Sequence, residues 1–139
     1  MFIELDDYKV VIGTTAFNVV TQADPDNLAN AQLEAIEEIS GYLRPRYDCA
    51  AIFGSEGAER NRQILMYACD ISLYHLASSL PGKMGMEIRK ERYERAIKWL
   101  ESVQSGGVIP DLPECTTESG ENAAPSIRYG SKQLVDNSY

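Results

Sequence analysis

The chain has 139 residues, 44% hydrophobic and 24% charged, with a formal net charge of −8. That length suits one domain with a real core, since roughly two thirds of the unfolded surface is buried at such a size. The acidity argues against a surface built to grip a nucleic-acid backbone. No apolar run reaches the roughly 18 residues of a membrane helix, and the acidic start Met1 to Asp7 has no basic region ahead of an apolar stretch. Neither a membrane span nor a secretory signal is expected.

In chain order, Leu5 to Ile12 predicts a short first helix, with Asp6 and Asp7 in the first turn and Gly13 as its stop. A short helical turn follows over Thr15 to Val20. Asp24-Pro25-Asp26 is a strong start: Asp24 can cap, and Pro25 suits the first helical position. This helix is expected to run to Leu43, where Arg44-Pro45 ends it, because proline disfavours helical geometry in the residue before it. Leu28, Ala31, Ala35, Ile36, Ile39 and Leu43 make its buried stripe, and Glu34, Glu37 and Glu38 are expected to face elsewhere.

Residues 48 to 60, with Gly54 and Gly57 and little periodicity, predict a loop anchored by Ile52 and Phe53. Asn61 is the expected cap of a helix from Arg62 to about Leu80. Apolar residues cover most of that helix's circumference, so it should be central. Pro81-Gly82 stops it. The last long helix runs from Glu87 to Ser105, ahead of Gly106-Gly107, with Tyr93, Ala96, Ile97, Leu100 and Val103 buried. After Pro113 the composition turns to Thr, Ser, Gly, Asn and Glu, which predicts an extended linker over 114 to 126. Apolar and aromatic character returns at Ile127, Arg128 and Tyr129, and continues through Leu134 and Val135 to Tyr139. The fold expected is therefore all-α: a compact bundle of about four helices with a short N-terminal helix over residues 1 to 113, then an extended C-terminal tail over 114 to 139.

Catalytic chemistry finds little support. His75 lies mid-helix, Cys69 and Asp70 precede it by six and five residues, and that spacing does not supply a nucleophile–base geometry. A packing histidine bonded to a carbonyl is expected instead. Adjacent carboxylates such as Glu37 and Glu38 point about 100° apart on a helix and do not share a site. No Gly-rich phosphate loop, Cys-x-x-Cys or His-Glu-x-x-His occurs. Cys49, Cys69 and Cys115 are odd in number and widely spaced, as suits reduced cytoplasmic thiols. No enzyme activity, cofactor or metal is expected.

The last long helix carries Arg89, Lys90, Arg92, Arg95 and Lys98 interleaved with acids, so Glu91 with Arg95 and Glu94 with Lys98 should pair at four-residue spacing. Such a run suits a solvated face. It also suits Arg89 and Arg92 meeting acids of a neighbouring copy, because through Glu38 the chain sets eight acids against Lys9 alone. A chain polarised in this way is suited to head-to-tail contact. Tyr42, Arg46, Tyr47 and Trp99 suit either packing at helix ends or a surface contact, and Gly41 beside them would let another backbone come close.

The order Gly41-Tyr42-Leu43-Arg44-Pro45-Arg46-Tyr47, Asp70-Ile71-Ser72-Leu73-Tyr74-His75-Leu76, the run from Arg89 to Leu100 and Pro110-Asp111-Leu112-Pro113 resembles the Mu-type family of tailed-phage head–tail connector proteins. The resemblance covers residues 1 to about 113. It implies an all-α neck adaptor, or head-completion protein, that forms a ring of about twelve copies beneath the portal and seats a stopper or other tail component. DNA would pass through the lumen without specific binding, and no membrane would be involved. The place implied is the virion neck, after assembly in the host cytoplasm. On this footing Arg44, Arg46, Tyr47, Arg89, Arg92, Ile127, Arg128, Tyr129, Leu134, Val135 and Tyr139 are candidate interface residues, and Tyr42, Tyr93, Trp99 and His75 candidate packing residues. A stopper or tail-end protein and a small helical regulatory protein stand as alternatives.

Overall fold

A computed structural model describes residues 1–21, 25–78 and 86–116. Among these the fold is all-α, as the hydrophobic periodicity predicts. The helices are α1 (Leu5–Ile12), α2 (Thr14–Thr21), α3 (Pro25–Leu43), α4 (Cys49–Gly54), α5 (Arg62–Ser78) and α6 (Met86–Gln104), with a single 3-10 turn at Gly57–Glu59. Extended backbone pairs in an antiparallel bridge between Tyr47 and Glu114. The expected cap Asp24 and stop Pro81-Gly82 lie outside the described residues, as do Ile127 through Tyr139.

Helix α5 is the centre. It buries Ile64, Tyr67, Ala68, Cys69, Asp70, Ile71, Ser72, Leu73 and Leu76, because it packs against α3, α6 and α1. A helix enclosed on three sides needs apolar residues around most of its circumference, and that is how its sequence reads. Its start is fixed by Asn61, whose Oδ1 accepts from the N–H groups of Gln63 and Ile64, both at 3.0 Å. Helix α3 presents the expected stripe, with Ala35, Ile39 and Leu43 fully buried. Gln32 and Ser40 join it, and the Ser40 hydroxyl is satisfied by donating to the Ile36 carbonyl.

Two local features shape the N-terminal corner. Gly13 takes φ +82°, which a side chain would disfavour. Its N–H donates to the Lys9 carbonyl at 2.8 Å while its own carbonyl accepts from Phe17, so one residue ends α1 and starts α2. The turn lets Tyr8 stack on Phe17 with ring centroids 5.5 Å apart. The Tyr8 hydroxyl reaches Ser72 at 2.8 Å, tying α1 to α5. Arg60 then clamps the chain start: its guanidinium donates to both Asp7 oxygens, at 2.6 and 3.3 Å, and to the Phe2 carbonyl at 2.8 Å.

Residues 48 to 60 depart from the expected loop. Asp48 accepts from the Ala51 N–H at 3.1 Å and caps α4. Six residues are too few to display a helical period, so the cap was the available signal. Ile52 and Phe53 do anchor the segment: Ile52 is buried, and Phe53 meets Phe2 edge-on at 5.0 Å. Gly41 also departs from expectation. It is exposed, and among the described residues no backbone beyond its own helix lies within 4 Å of where its Cβ would sit.

Trp99 is half-buried and lies against Tyr67 with centroids 4.9 Å apart. Trp99→Ala is expected to cost about 2 kcal/mol, below the range for a fully enclosed tryptophan because part of the ring already faces water. A urea midpoint indistinguishable from that of the parent protein would contradict the packing role.

Burial pushes the Cys69 thiol up to about 12, with nearby Asp7 and Asp70 adding to the effect. A thiol raised on folding contributes its full stabilisation below its unfolded value of about 8.5 and loses it as pH climbs toward the folded value. Tyr8 and Tyr93, both raised chiefly by burial, act in the same sense from about pH 10 upward. Melting temperature should therefore be level between pH 7 and 8 and fall steadily above about pH 9. A melting temperature that held level to pH 11 would contradict this.

Candidate functional site: the arginine face of α6

Helix α6 buries Ala96, Leu100 and Val103 against the core. Arg89, Arg92 and Arg95 follow one another at three-residue intervals along its flank. Opposite them on α5 stands Asp70, with no exposed surface. Arg92 Nε donates to Asp70 Oδ1 at 2.7 Å, and Arg95 Nη2 lies 3.6 Å from Oδ2. Asp70 Oδ2 has no hydrogen-bond partner, and neither does the buried Nη1 of Arg89. Burial lowers the Arg89 pKa from its ordinary value, the like charge of Arg92 adds to that, and Asp70 opposes it. Two guanidinium groups thus meet one carboxylate and a third, on Arg89, feels its charge, leaving an excess of positive charge on an otherwise acidic chain.

This arrangement revises the expected pairing. Arg92 is engaged by its own Asp70 rather than left free for a neighbouring copy. Arg95 turns to Asp70 in place of Glu91, since a carboxylate shielded from water offers a less screened attraction than an exposed one. Lys90 meets Glu94 at 3.9 Å, and Lys98 has no ion pair among the described residues. Sequence reasoning passed over Asp70 as a structural centre. The available signal was a lone acid inside an apolar helix, which requires a partner once buried.

A second cluster gathers the packing candidates. Glu38 accepts from the Tyr93 hydroxyl at 2.5 Å through Oε1 and lies 2.8 Å from His75 Nε2 through Oε2. Tyr74 stacks on Tyr93 at 4.2 Å. His75 therefore bonds a carboxylate rather than the expected carbonyl, and Glu38, expected on the solvated side, is held between α5 and α6. Burial and the Glu38 carboxylate both raise the Tyr93 hydroxyl pKa. Tyr42 is half-buried against the core.

The remaining interface candidates divide. Tyr47, expected at a surface contact or a helix end, is a core residue with 2% exposure. The chain turns after Leu43, and the backbone at Tyr47 pairs with Glu114 in an antiparallel bridge. Arg46 lies 3.7 Å from Glu114, and its carbonyl accepts from the Cys115 N–H at 3.0 Å. Arg44 stays exposed and pairs with Glu37 at 3.0 Å. The acidic N-terminal half is also less polarised than its count suggests, because Asp6 pairs with Lys9, Asp7 with Arg60 and Glu37 with Arg44. Among the described residues no three His, Cys, Asp or Glu side chains converge as a metal site, and no helix is long and apolar enough to cross a membrane.

Fold and surface together define a small all-α domain with a guanidinium-rich flank on its outer helix. The chain belongs to the family described as Bacteriophage Mu, Gp36, whose model matches residues 2–128. It is a bacteriophage protein. No curated protein and no solved structure matches it.

Proposed function

We propose that the chain is a head-to-tail connector of a Mu-type tailed phage, a non-enzymatic adaptor that assembles as a ring of about twelve copies beneath the portal. The single observation that carries this reading is the family match, which spans all but the last residues of the chain. The all-α fold favours an adaptor over a stopper, for which strands would be expected. Net charge supports the role as well: with part of the −8 of each subunit facing inward, the lumen of a ring would repel DNA and let it slide, whereas a basic wall would hold it. In this reading the virion neck is the site of action, and portal and a tail component are the partners.

Mass photometry of the chain alone and mixed with portal from its source tests the proposal. A portal-dependent ring, or a stoichiometric complex with portal, is expected. A monomer indifferent to portal at all concentrations would defeat the reading and favour the small regulatory protein.

A further inference from the structure

The outer face of α6 holds an open groove of about 690 Å³ lined by Ile88, Glu91, Arg92, Glu94, Arg95 and Lys98. Its cations are only partly used. Arg92 is committed to Asp70, but Arg95 reaches that carboxylate only at 3.6 Å with 53% of its side chain exposed. Lys98 has no ion pair among the described residues. Ile88, 52% exposed, supplies an aliphatic surface beside these charges. Of the two acids in the lining, Glu94 is drawn to Lys90 at 3.9 Å, which leaves Glu91 alone beside Arg95 and Lys98 and a net positive charge there.

An aliphatic side chain flanked by cations is complementary to an aliphatic side chain flanked by acids. The chain carries that counterpart on α3. Leu33 is 58% exposed, Glu34 beside it is exposed without a partner among the described residues, and Glu37 follows one turn later in a solvent-exposed pair with Arg44. None of these three lines the groove, so a single copy does not bring this ridge to its own α6 cations.

We propose that the α6 groove and the Leu33–Glu34 ridge of α3 are the two halves of a contact between successive copies of the chain, with Leu33 against Ile88 and Glu34 between Arg95 and Lys98. The proposal rests on the connector reading in one respect, that copies associate. Because the two patches differ, each copy offers one half and receives the other. Such heterologous contacts close into rings when the rotation permits, whereas a patch that met itself would stop at a dimer. A second copy is the favoured occupant because exposed acid is the dominant surface chemistry of a chain at −8, and Leu33 with Glu34 places aliphatic and acidic groups side by side.

Lys98→Glu and Glu34→Lys test this at two exposed positions outside the core, with circular dichroism to show that each variant is folded. Assembly of the full chain is followed by mass photometry with and without portal. Each single variant is expected to weaken association by about tenfold or more, and the double variant, whose charges are exchanged, to recover most of the loss. If the parent chain assembles and the single variants do so equally well, or the double variant recovers nothing, the contact is wrong while the connector reading stands. A parent chain that stays monomeric under both conditions removes both.

Discussion

Arg92→Ala is expected to destabilise the fold by about 3 kcal/mol, more than the replacement of its partner by leucine. The asymmetry comes from where water reaches. Asp70 is wholly buried, whereas the Arg92 side chain keeps 27% of its surface exposed. Removing the arginine strands a carboxylate in the interior with Arg95 just beyond hydrogen-bond distance. Asp70→Leu instead deletes the charge that needs compensation and fills a similar volume, leaving guanidinium groups that can turn toward solvent. That change should cost about 1 kcal/mol, mostly from repulsion among cations that solvent and salt screen. The two substitutions share one interaction, so they should not add: Arg92→Ala in the Asp70→Leu background should cost well under its value alone. Urea midpoints for the four proteins of the cycle, at equal denaturant slope, decide the matter. Additive losses, or a leucine variant less stable than the alanine one, would show that the buried carboxylate is not the costly member.

The elements legible in the sequence are those whose burial repeats along a helix. The α3 stripe and the apolar circumference of α5 each express one helix's surroundings over four or five turns, so periodicity carries them. Glu38 shows where that legibility ends. Its neighbour Glu37 is exposed as expected, but the 100° step between adjacent residues swings Glu38 to the flank where His75 and Tyr93 arrive from positions far along the chain. Which side chains meet across helices is set by how the helices cross, and no local pattern encodes it. The same holds for Arg92 and Asp70: the basic face and the lone acid of an apolar helix are each visible in the sequence, but their meeting is not. Tyr47 was open for a related reason, since a ring that follows a helix end can turn inward or outward depending on what the chain does after Pro45, and here it turns inward.

Arg60→Ala is the second change with a large expected effect, about 3 kcal/mol, and its consequences should be local before they are global. The guanidinium is only 10% exposed and faces Asp7 at 17%. Asp7 holds it firmly, through a hydrogen bond first and charge second, and raises its pKa above the ordinary value. The same side chain satisfies the Phe2 and Gly57 carbonyls, so one substitution leaves a poorly solvated carboxylate and two backbone acceptors without donors. Phe2 and Ile3, both 2% exposed, are kept in the core by that anchorage, and α1 is only eight residues long. A helix that short has little stability of its own. Hydrogen exchange should therefore show residues 1 to 12 losing protection in the variant while the amides of α5 keep theirs in proportion to the remaining global stability. Arg60→Lys should recover part of the loss, because an ammonium keeps the charge but cannot span both carboxylate oxygens and the Phe2 carbonyl at once. Equal protection of the first helix in parent and alanine variant would mean that Tyr8, through Phe17 and Ser72, holds that corner without the arginine.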